Sequence, residues 1–353
     1  MRKVDQPTTR VVGEQERFDQ GETVFARAFR GDLGERVSML PSGDVFSRIF
    51  IMGPRPENNL TIHMFGATDG PVNPERVEVT DPGAMSESIK EVGKFLGADL
   101  IGISELNQAY VYSRAMGRLE GAEQGPAVEL GHRYAISVGV QMDYDKIKAS
   151  PSHIDAAEAG LAYSKVAKTV CQLAAYIREL GYPARAHHVL REQVLHVPIA
   201  VASGLGELGR LGFLVTKEFG PRLRLGTVTT DLPLAPDRPV DIGVQDSCEK
   251  CIKCATNCPS RSIPVEGKTI ARGAEKWQSR PEPCFLYWYS NPEKHSACAV
   301  CIKVCPWNKP YRWYHIAAAW AASRSSQATT LLLWLDDLLY GKRPSYKAEW
   351  LNY

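Results

Sequence analysis

Residues 248–259 of this 353-residue chain read CEKCIKCATNCP, and this stretch decides what fold is expected around it. A second run, CAVCIKVCP, extends from Cys298 to Pro306, and Cys284 lies between the two runs. Eight of the nine cysteines therefore fall between positions 248 and 305, and Cys171 stands far from them. Cysteines at gaps of two and three residues cannot all pair as disulfides without strain, so the density indicates bound metal.

Both runs have the spacing of bacterial ferredoxins, in which the last cysteine of a run binds the cluster of the other run. This crossing rule predicts one 4Fe–4S cluster on Cys248, Cys251, Cys254 and Cys305, and a second on Cys258, Cys284, Cys298 and Cys301. Two four-cysteine zinc sites are the alternative. A zinc site would not require the proline that follows the last cysteine of each run, so iron–sulfur clusters are favoured. A lone helix cysteine such as Cys171 is expected to be inert.

The overall composition is that of an ordinary globular protein, with 44% apolar and 23% charged residues. A net charge of +2 gives no basic field for nucleic acid, and no nucleic-acid partner is expected. The sequence has no stretch of eighteen apolar residues, so no transmembrane segment is expected. Residues 1–5 have neither an apolar signal core nor a twin-Arg motif, which predicts a cytoplasmic location for the sequence as given. Export and a peripheral place on the membrane are the alternative, if a twin-Arg signal has been removed.

The pattern along the chain predicts an α/β (α+β) core followed by a two-cluster ferredoxin-like module. The expected units are a turn-rich N-terminal wrapping segment (1–70), the core (71–245), the cysteine module (246–310) and a helical tail (311–353). Apolar residues at helical spacing predict helices over 86–96 and 154–180. Short apolar or β-branched runs predict strands over 100–104, 134–140 and 222–230.

Residues 202–234 carry a second pattern, which begins ASGLGELGR and continues through EFGPR (218–222) to TDLPL (230–234). Its glycines would let the backbone approach a large ligand closely. Taken alone, the segment is better explained as a turn-rich connection. Together with the paired cysteine runs, it resembles the corrinoid-dependent reductive dehalogenase family. The FDQ at 18–20 and TVFAR at 23–27 resemble the start of that family's catalytic chain, so the resemblance covers nearly the whole length.

This resemblance implies the reaction R–X + 2e⁻ + H⁺ → R–H + X⁻ on a small organohalide. It also implies a corrinoid held base-off between core and module, and an external low-potential electron donor: a ferredoxin, a flavodoxin or a membrane redox partner. The Asp-x-His-x-x-Gly pattern of His-ligated corrinoid proteins is absent from the sequence, and no protein axial ligand is expected. The residues expected to contact the corrinoid are Tyr163, Gly204, Gly206, Arg210, Gly212, Gly220 and Arg222.

A tyrosine proton donor is the family's second implied feature. Residues 160–165 read GLAYSK and match the family's GxxYS segment, which makes Tyr163 the expected acid. Arg210, the last residue of GELGR, is the expected cation, because a guanidinium close to a phenol stabilises the phenolate left after proton transfer. The alternative for Tyr163 is a core tyrosine whose hydroxyl is satisfied by the protein.

The expected substrate pocket departs from the family pattern, because AHHVLRE (186–192) stands where the family often has an asparagine. Arg191 is predicted to be a second pocket cation that favours anionic substrates; the alternative is a solvated charge paired with Glu192. Trp277 and Trp288 are predicted to wall the pocket. They would otherwise form an aromatic shell that keeps water from the clusters.

Two other functions stay open at this point. Epoxyqueuosine reductase, a tRNA-modifying enzyme, also combines a corrinoid with two clusters, and its second run tends to end in CPWN, as residues 305–308 do here. A ferredoxin-type electron carrier would need the clusters but no corrinoid and no substrate.

Overall fold

The computed structural model describes residues 2–34, 60–116, 125–290, 297–310 and 312–342. The strands are Arg2–Lys3, Leu100–Glu105, Tyr134–Gln141, Ala184–His187, Glu207–Leu208, Leu214–Val215, Leu223–Thr230, Val240–Asp241, Thr269–Ala271 and Ala274–Lys276. The α-helices are Val24–Phe29, Leu60–His63, Pro82–Leu96, Tyr144–Lys148, His153–Glu179, His196–Ala202, Val244–Lys250, Lys253–Thr256, Pro281–Ser290, Val300–Lys303, Trp313–Ala322 and Ser326–Tyr340.

The core is built on a four-stranded antiparallel sheet. Its order is Leu100–Glu105, Tyr134–Gln141, Leu223–Thr230, Ala184–His187. The three strands that the sequence predicts are all present, each within one residue of its expected limits. The strand Ala184–His187 was not predicted, because four residues are too few to show a clear alternation.

The long helix His153–Glu179 covers one face of this sheet. Its first turn is fixed by a capping box, in which Ser152 accepts from the amides of Ile154 and Asp155 while Asp155 accepts from the amide of Ser152. The helix stops before Gly181, which has a φ of +84°. Its apolar residues, with those of Pro82–Leu96 and the inner sheet face, form the largest buried core, in which Ile89, Ile136, Val166, Val170, Leu173, Ile177 and Val228 are fully buried.

Hydroxyl and imidazole groups line part of the opposite sheet face. Thr227 bonds His196 (Oγ1 to Nδ1, 2.8 Å), and Thr229 bonds both His187 (2.9 Å) and His132 (2.8 Å). Side chains alternate along a strand, so residues 227 and 229 point away from the long helix while 224, 226 and 228 point towards it. The strand Leu223–Thr230 therefore presents two chemically different faces.

Residues 246–310 pack directly onto the core. Short helices carry or adjoin most of the cysteines, and the hairpin Thr269–Ala271 with Ala274–Lys276 lies between the two runs. Arg222 donates from Nε to Oδ1 of Asn308 (3.0 Å) and also binds the carbonyl of Met142. Glu207 accepts from the amides of Ile242 (2.7 Å) and Val244 (3.1 Å). The Arg222–Asn308 contact joins the cysteine module to the core, and Glu207 holds the chain immediately before the module.

The terminal segments surround these two units. The described part of residues 1–70 has only short elements, and it touches the hairpin through the bridge between Val11 and Ala274. In the tail, Trp313–Ala322 packs against Ser326–Tyr340, and Ser326–Tyr340 also packs against the helix that carries Cys248. Parts of the predicted segments lie outside the described residues, namely 35–59, 117–124, 291–296, 311 and 343–353. Within the described ranges, no helix has the length and apolar character needed to cross a membrane.

Candidate functional site

The cysteine thiols fall into two groups of electrostatic neighbours. Burial raises the pKa of the Cys305 thiol, and Cys248, Cys251 and Cys254 raise that pKa further. Cys305 is the last cysteine of the second run, yet the three thiols that act on it belong to the first run. This is the neighbourhood that the crossing rule requires for the first cluster.

The second group contains the remaining four cysteines. Burial is the main cause that raises the pKa of Cys298 and of Cys301, and Cys258 and Cys284 add to it at both positions. Cys254 also acts on Cys301, so the two groups are adjacent. Buried thiols of this kind are protonated without metal and become thiolates when iron binds.

Backbone amides point at one sulfur in each group. The amide of Arg210 donates to Sγ of Cys248 (3.5 Å), and the amide of Ser262 donates to Sγ of Cys258 (3.3 Å). Hydrogen bonds to cluster sulfurs are one of the means by which a protein sets a cluster's reduction potential. Among the described residues no set of three His, Cys, Asp or Glu side chains would hold a single metal ion.

Arg210 has a different place from the one expected for a partner of Tyr163. Its Nε and Nη2 donate to the carbonyl of Cys248 (3.1 and 3.0 Å), and its Nη1 donates to that of Glu266 (2.7 Å). The guanidinium also lies 4.8 Å from the ring centre of Trp277. The side chain is 2% exposed and is held inside the cysteine module.

The cation that lies over Tyr163 is Arg224, whose guanidinium carbon is 4.8 Å from the ring centre. Tyr163 is on the long helix, and Arg224 is on the sheet face that the helix covers. The Nε of Arg224 is buried and has no hydrogen-bond partner among the described residues. Sequence reasoning missed Arg224, although the alternation along its strand places it on the same face as the core residue Val228.

Most of the glycines expected to contact a corrinoid instead approach the chain's own backbone. A Cβ at Gly204 would lie 2.4 Å from the carbonyl oxygen of Arg238, and one at Gly206 would lie 2.2 Å from that of Val215. A Cβ at Gly220 would lie 2.4 Å from the carbonyl oxygen of Trp307. These glycines permit close packing within the protein. This agrees with the alternative explanation of the segment as a turn-rich connection, which needs no ligand.

Gly212 and Trp277 line a cavity of about 350 Å³, whose walls also include Thr9, Val197 and Ser279. The Oγ1 of Thr9, the Oγ of Ser279 and the Nε1 of Trp277 are buried there without a hydrogen-bond partner among the described residues. Tyr163 is not part of this lining. The structure therefore places Gly212 and Trp277 at this cavity and Tyr163 away from it.

The two remaining predicted substrate residues lie elsewhere. The guanidinium of Arg191 is 4.4 Å from the ring centre of Phe65, and the side chain is exposed. Glu192 forms no ion pair with it among the described side chains; burial raises the pKa of the Glu192 carboxyl to about 7. Trp288 packs against Phe285 (5.3 Å between ring centres), as part of an aromatic cluster beside Cys284.

Comparison with known proteins gives a consistent result. A family model described as "4Fe-4S dicluster domain" matches residues 247–309. The tetrachloroethene reductive dehalogenase of Sulfurospirillum multivorans is 32% identical over 308 residues, which is 77% of this chain and 60% of that protein. An epoxyqueuosine reductase of Lactococcus garvieae is 32% identical over 118 residues, 33% of this chain and 32% of that protein.

Solved structures extend the likeness to most of the chain. The catabolic reductive dehalogenase NpRdhA in complex with 3-bromo-4-hydroxybenzoic acid matches with a TM-score of 0.86 at 31% identity, over 97% of this chain and 49% of that chain. A reductive dehalogenase structure described as suggesting a mechanism for B12-dependent dehalogenation matches with a TM-score of 0.84 at 30% identity, with the same coverage.

The fold and the cysteine module define an iron–sulfur protein in which a 4Fe–4S dicluster module is joined to an α+β core. By sequence and by fold, the chain is a homologue of the reductive dehalogenases, and epoxyqueuosine reductase is a more distant relative. The chain spans only about half to three fifths of the length of these dehalogenases.

Proposed function

We propose that this chain is a reductive dehalogenase, which converts R–X, two electrons and one proton into R–H and X⁻. The observation that carries the proposal is Tyr163 beneath the Arg224 guanidinium, in a chain that also has two groups of four cysteines. A proton donor and an electron-transfer module are the two parts that this reaction needs from the protein. The low net charge gives no support to the tRNA-modifying alternative.

Tyr163 supplies the proton. Donation leaves a phenolate, and the positive charge of Arg224 over the ring stabilises it. The buried Nε of Arg224 has no other described partner, so the guanidinium is available to an anion formed beside it. Arg210, bound inside the module, is assigned to the first cluster group instead.

The eight cysteines would hold two 4Fe–4S clusters, which would supply single-electron transfer from an external donor. The first is held by Cys248, Cys251, Cys254 and Cys305, and the second by Cys258, Cys284, Cys298 and Cys301. Arg210 would stabilise the more negative, reduced form of a cluster held there, because its amide donates to the Cys248 sulfur and its guanidinium donates to the Cys248 carbonyl.

A corrinoid is the cofactor that accompanies this reaction in a B12-dependent relative, and its cobalt supplies the centre at which the carbon–halogen bond is cleaved. The residues present fit such a ligand in part. Tyr163 and Arg224 have polar groups to offer it, and so do Thr9 and Ser279 in the cavity that Trp277 lines. Gly204, Gly206 and Gly220 do not, because they are occupied by backbone contacts. We propose the base-off form without a protein axial ligand.

The experiment is anaerobic reconstitution of the chain with iron, sulfide and cobalamin. We expect roughly eight iron atoms and one cobalt per chain, and halide release that depends on a reduced viologen donor. The substrate panel contains tetrachloroethene and 3-bromo-4-hydroxybenzoic acid, one from each kind of relative. Iron without cobalt would identify an electron carrier, and reduction of epoxyqueuosine-containing RNA without halide release would identify the tRNA-modifying alternative.

A further inference from the structure

The cavity that Trp277 lines carries an excess of positive charge. The charged residues of its lining are Arg272, Lys276 and Glu16, which give two positive charges and one negative charge. Burial lowers the pKa of the Lys276 ammonium group and the charge of Arg272 lowers it further, with no carboxylate acting against them. Glu16 acts on Arg272 instead, together with Tyr112. A half-buried cation without a counter-charge is costly, which indicates an anionic ligand beside Lys276.

The turn of a hairpin in the cysteine module holds Arg272 at this cavity. The hairpin pairs Thr269–Ala271 with Ala274–Lys276, so Arg272 and Gly273 form its two-residue turn, with φ values of +51° and +69°. Such a turn favours Asn, Asp or Gly at both positions, and an arginine there is strained. The guanidinium carbon of Arg272 also lies 3.5 Å from the ring centre of Phe18. A strained arginine at a cavity points to a role for its charge.

Buried hydrogen-bond donors stand in the same walls. The indole Nε1 of Trp277 can only donate, and it has no partner among the described residues although the side chain is 3% exposed. The hydroxyl groups of Thr9 and Ser279 are likewise buried without a described partner. An indole N–H and two hydroxyls can all donate to the oxygen atoms of an anion. The cavity therefore combines positive charge with donors, as an oxyanion requires.

Much of the remaining lining is apolar, and it comes from both sides of the junction between core and module. The N-terminal segment contributes Pro7 and Val11, and the core helix His196–Ala202 contributes Val197 and Val201. The cavity thus lies between the core and the module, where a corrinoid is expected. A volume of about 350 Å³ is at the small end of ligand pockets, so the cavity suits one end of a corrinoid.

We propose that this cavity binds the phosphate-bearing end of a complete corrinoid, with Lys276 and Arg272 as the partners of the phosphate. The inference rests on the proposed function and names the residues that would hold one part of its cofactor. In the base-off form the nucleotide has left the cobalt, so it needs a place of its own in the protein. The phosphate carries the negative charge of the nucleotide, and hydrogen bonds to it from lysine and arginine are about twice as strong as neutral ones.

The test compares cobinamide with cobinamide phosphate, which differ only in the phosphate group. Equilibrium dialysis against the iron-loaded, cobalt-free protein measures both affinities without turnover. We expect the unmodified chain to bind cobinamide phosphate roughly ten- to a hundredfold more tightly than cobinamide. Lys276→Gln should remove most of this preference by weakening the binding of the phosphate form alone. Arg272→Asn should also reduce the preference without lowering the thermal midpoint, because asparagine tolerates a positive φ.

Lys268→Gln is the matched control. Lys268 belongs to the same module and lies 4.5 Å from the ring centre of Trp277, but it is not part of the cavity lining. Iron content and thermal unfolding verify that each variant is folded. Equal affinity of the unmodified chain for the two ligands, or equal losses for both in Lys276→Gln, would overturn the inference while corrinoid binding stands. If neither ligand binds the unmodified chain, the corrinoid part of the proposed function is itself wrong.

Discussion

At the scale of single residues, the structure pairs the proposed proton donor Tyr163 with Arg224. The sequence suggested Arg210, because that residue ends a glycine-rich motif. The structure shows that Arg210 instead donates to carbonyl groups of the module. An arginine binds wherever enough acceptors surround it, and the carbonyls of Cys248 and Glu266 provide that environment only in the folded chain.

Replacing Tyr163 with phenylalanine should keep the ring beneath Arg224 and remove the acid. We expect halide release to fall at least about a hundredfold, with iron and cobalt content unchanged. The matched control is Tyr176→Phe, on the same helix, where the ring is 39% exposed. Halide release from Tyr163→Phe at the rate of this control would remove Tyr163 from the mechanism.

Glu192 predicts a dependence of stability on pH. Burial raises its pKa from 4.5 to about 7 in the folded chain. Between pH 4.5 and about pH 7, Glu192 in the folded chain keeps a proton that the unfolded chain has released. The contribution of Glu192 to stability is therefore greatest below pH 4.5, and it declines as the pH rises through about 7. The loss is at most about 3 kcal/mol. Urea midpoints measured from pH 5 to 8 should fall less steeply for Glu192→Gln, and parallel slopes would contradict the assignment.

At the scale of elements, the cysteine runs depend on short helices and tight turns. Cys248 and Cys254 are on two consecutive short helices, and Cys305 lies two residues after the end of a third. Such brief elements carry little helical stability of their own, and bound metal supplies the missing folding energy. The grouping of thiols across the two runs is therefore a property of the assembled module.

Iron content of paired variants tests this crossed arrangement. Cys248→Ala and Cys305→Ala should each reduce iron from roughly eight to roughly four atoms, and combining them should cost no further iron. Cys258→Ala combined with Cys305→Ala should lose both clusters, although Cys258 and Cys248 belong to the same run. If the pair Cys248 and Cys258 behaved as one cluster instead, the crossing rule would not hold here.

At the scale of the whole molecule, the GELGR and EFGPR segments join the core to the cysteine module. Glu207 accepts from two amides just before the module, and Arg210 donates into the module. Arg222 reaches Asn308, next to the Trp307 carbonyl that Gly220 approaches. The sequence motif that identifies the family therefore serves mainly to join the core to the cysteine module. It contributes less to a ligand site.

Gly220→Ala tests this junction. Gly220 has a φ of +57°, and an added Cβ would meet the Trp307 carbonyl at 2.4 Å. We expect a loss of about 2–4 kcal/mol in unfolding free energy, seen as a lower thermal midpoint and easier loss of iron. Gly267→Ala is the control, because nothing lies within 4 Å of its added Cβ. Equal midpoints for the two variants would show that the junction tolerates a side chain.

The sequence by itself determined the features that repeat at short range. The spacing of the cysteine runs indicated the iron–sulfur module, apolar periodicity located the long helix and three strands, and motif likeness indicated the dehalogenase family; the fold class and the family are confirmed. Local spacing is sufficient for these, because neighbouring residues fix whether thiols converge and which side of an element is buried.

Only the tertiary structure decided which distant residues meet. The register between Ala184–His187 and Leu223–Thr230 puts His188 and Arg224 on one face, while packing draws Arg210 and the glycines into the junction. These outcomes depend on strand alignment and on which backbone groups need partners after folding. A one-residue shift would exchange the faces that His187 and His188 occupy, with no change in the sequence pattern.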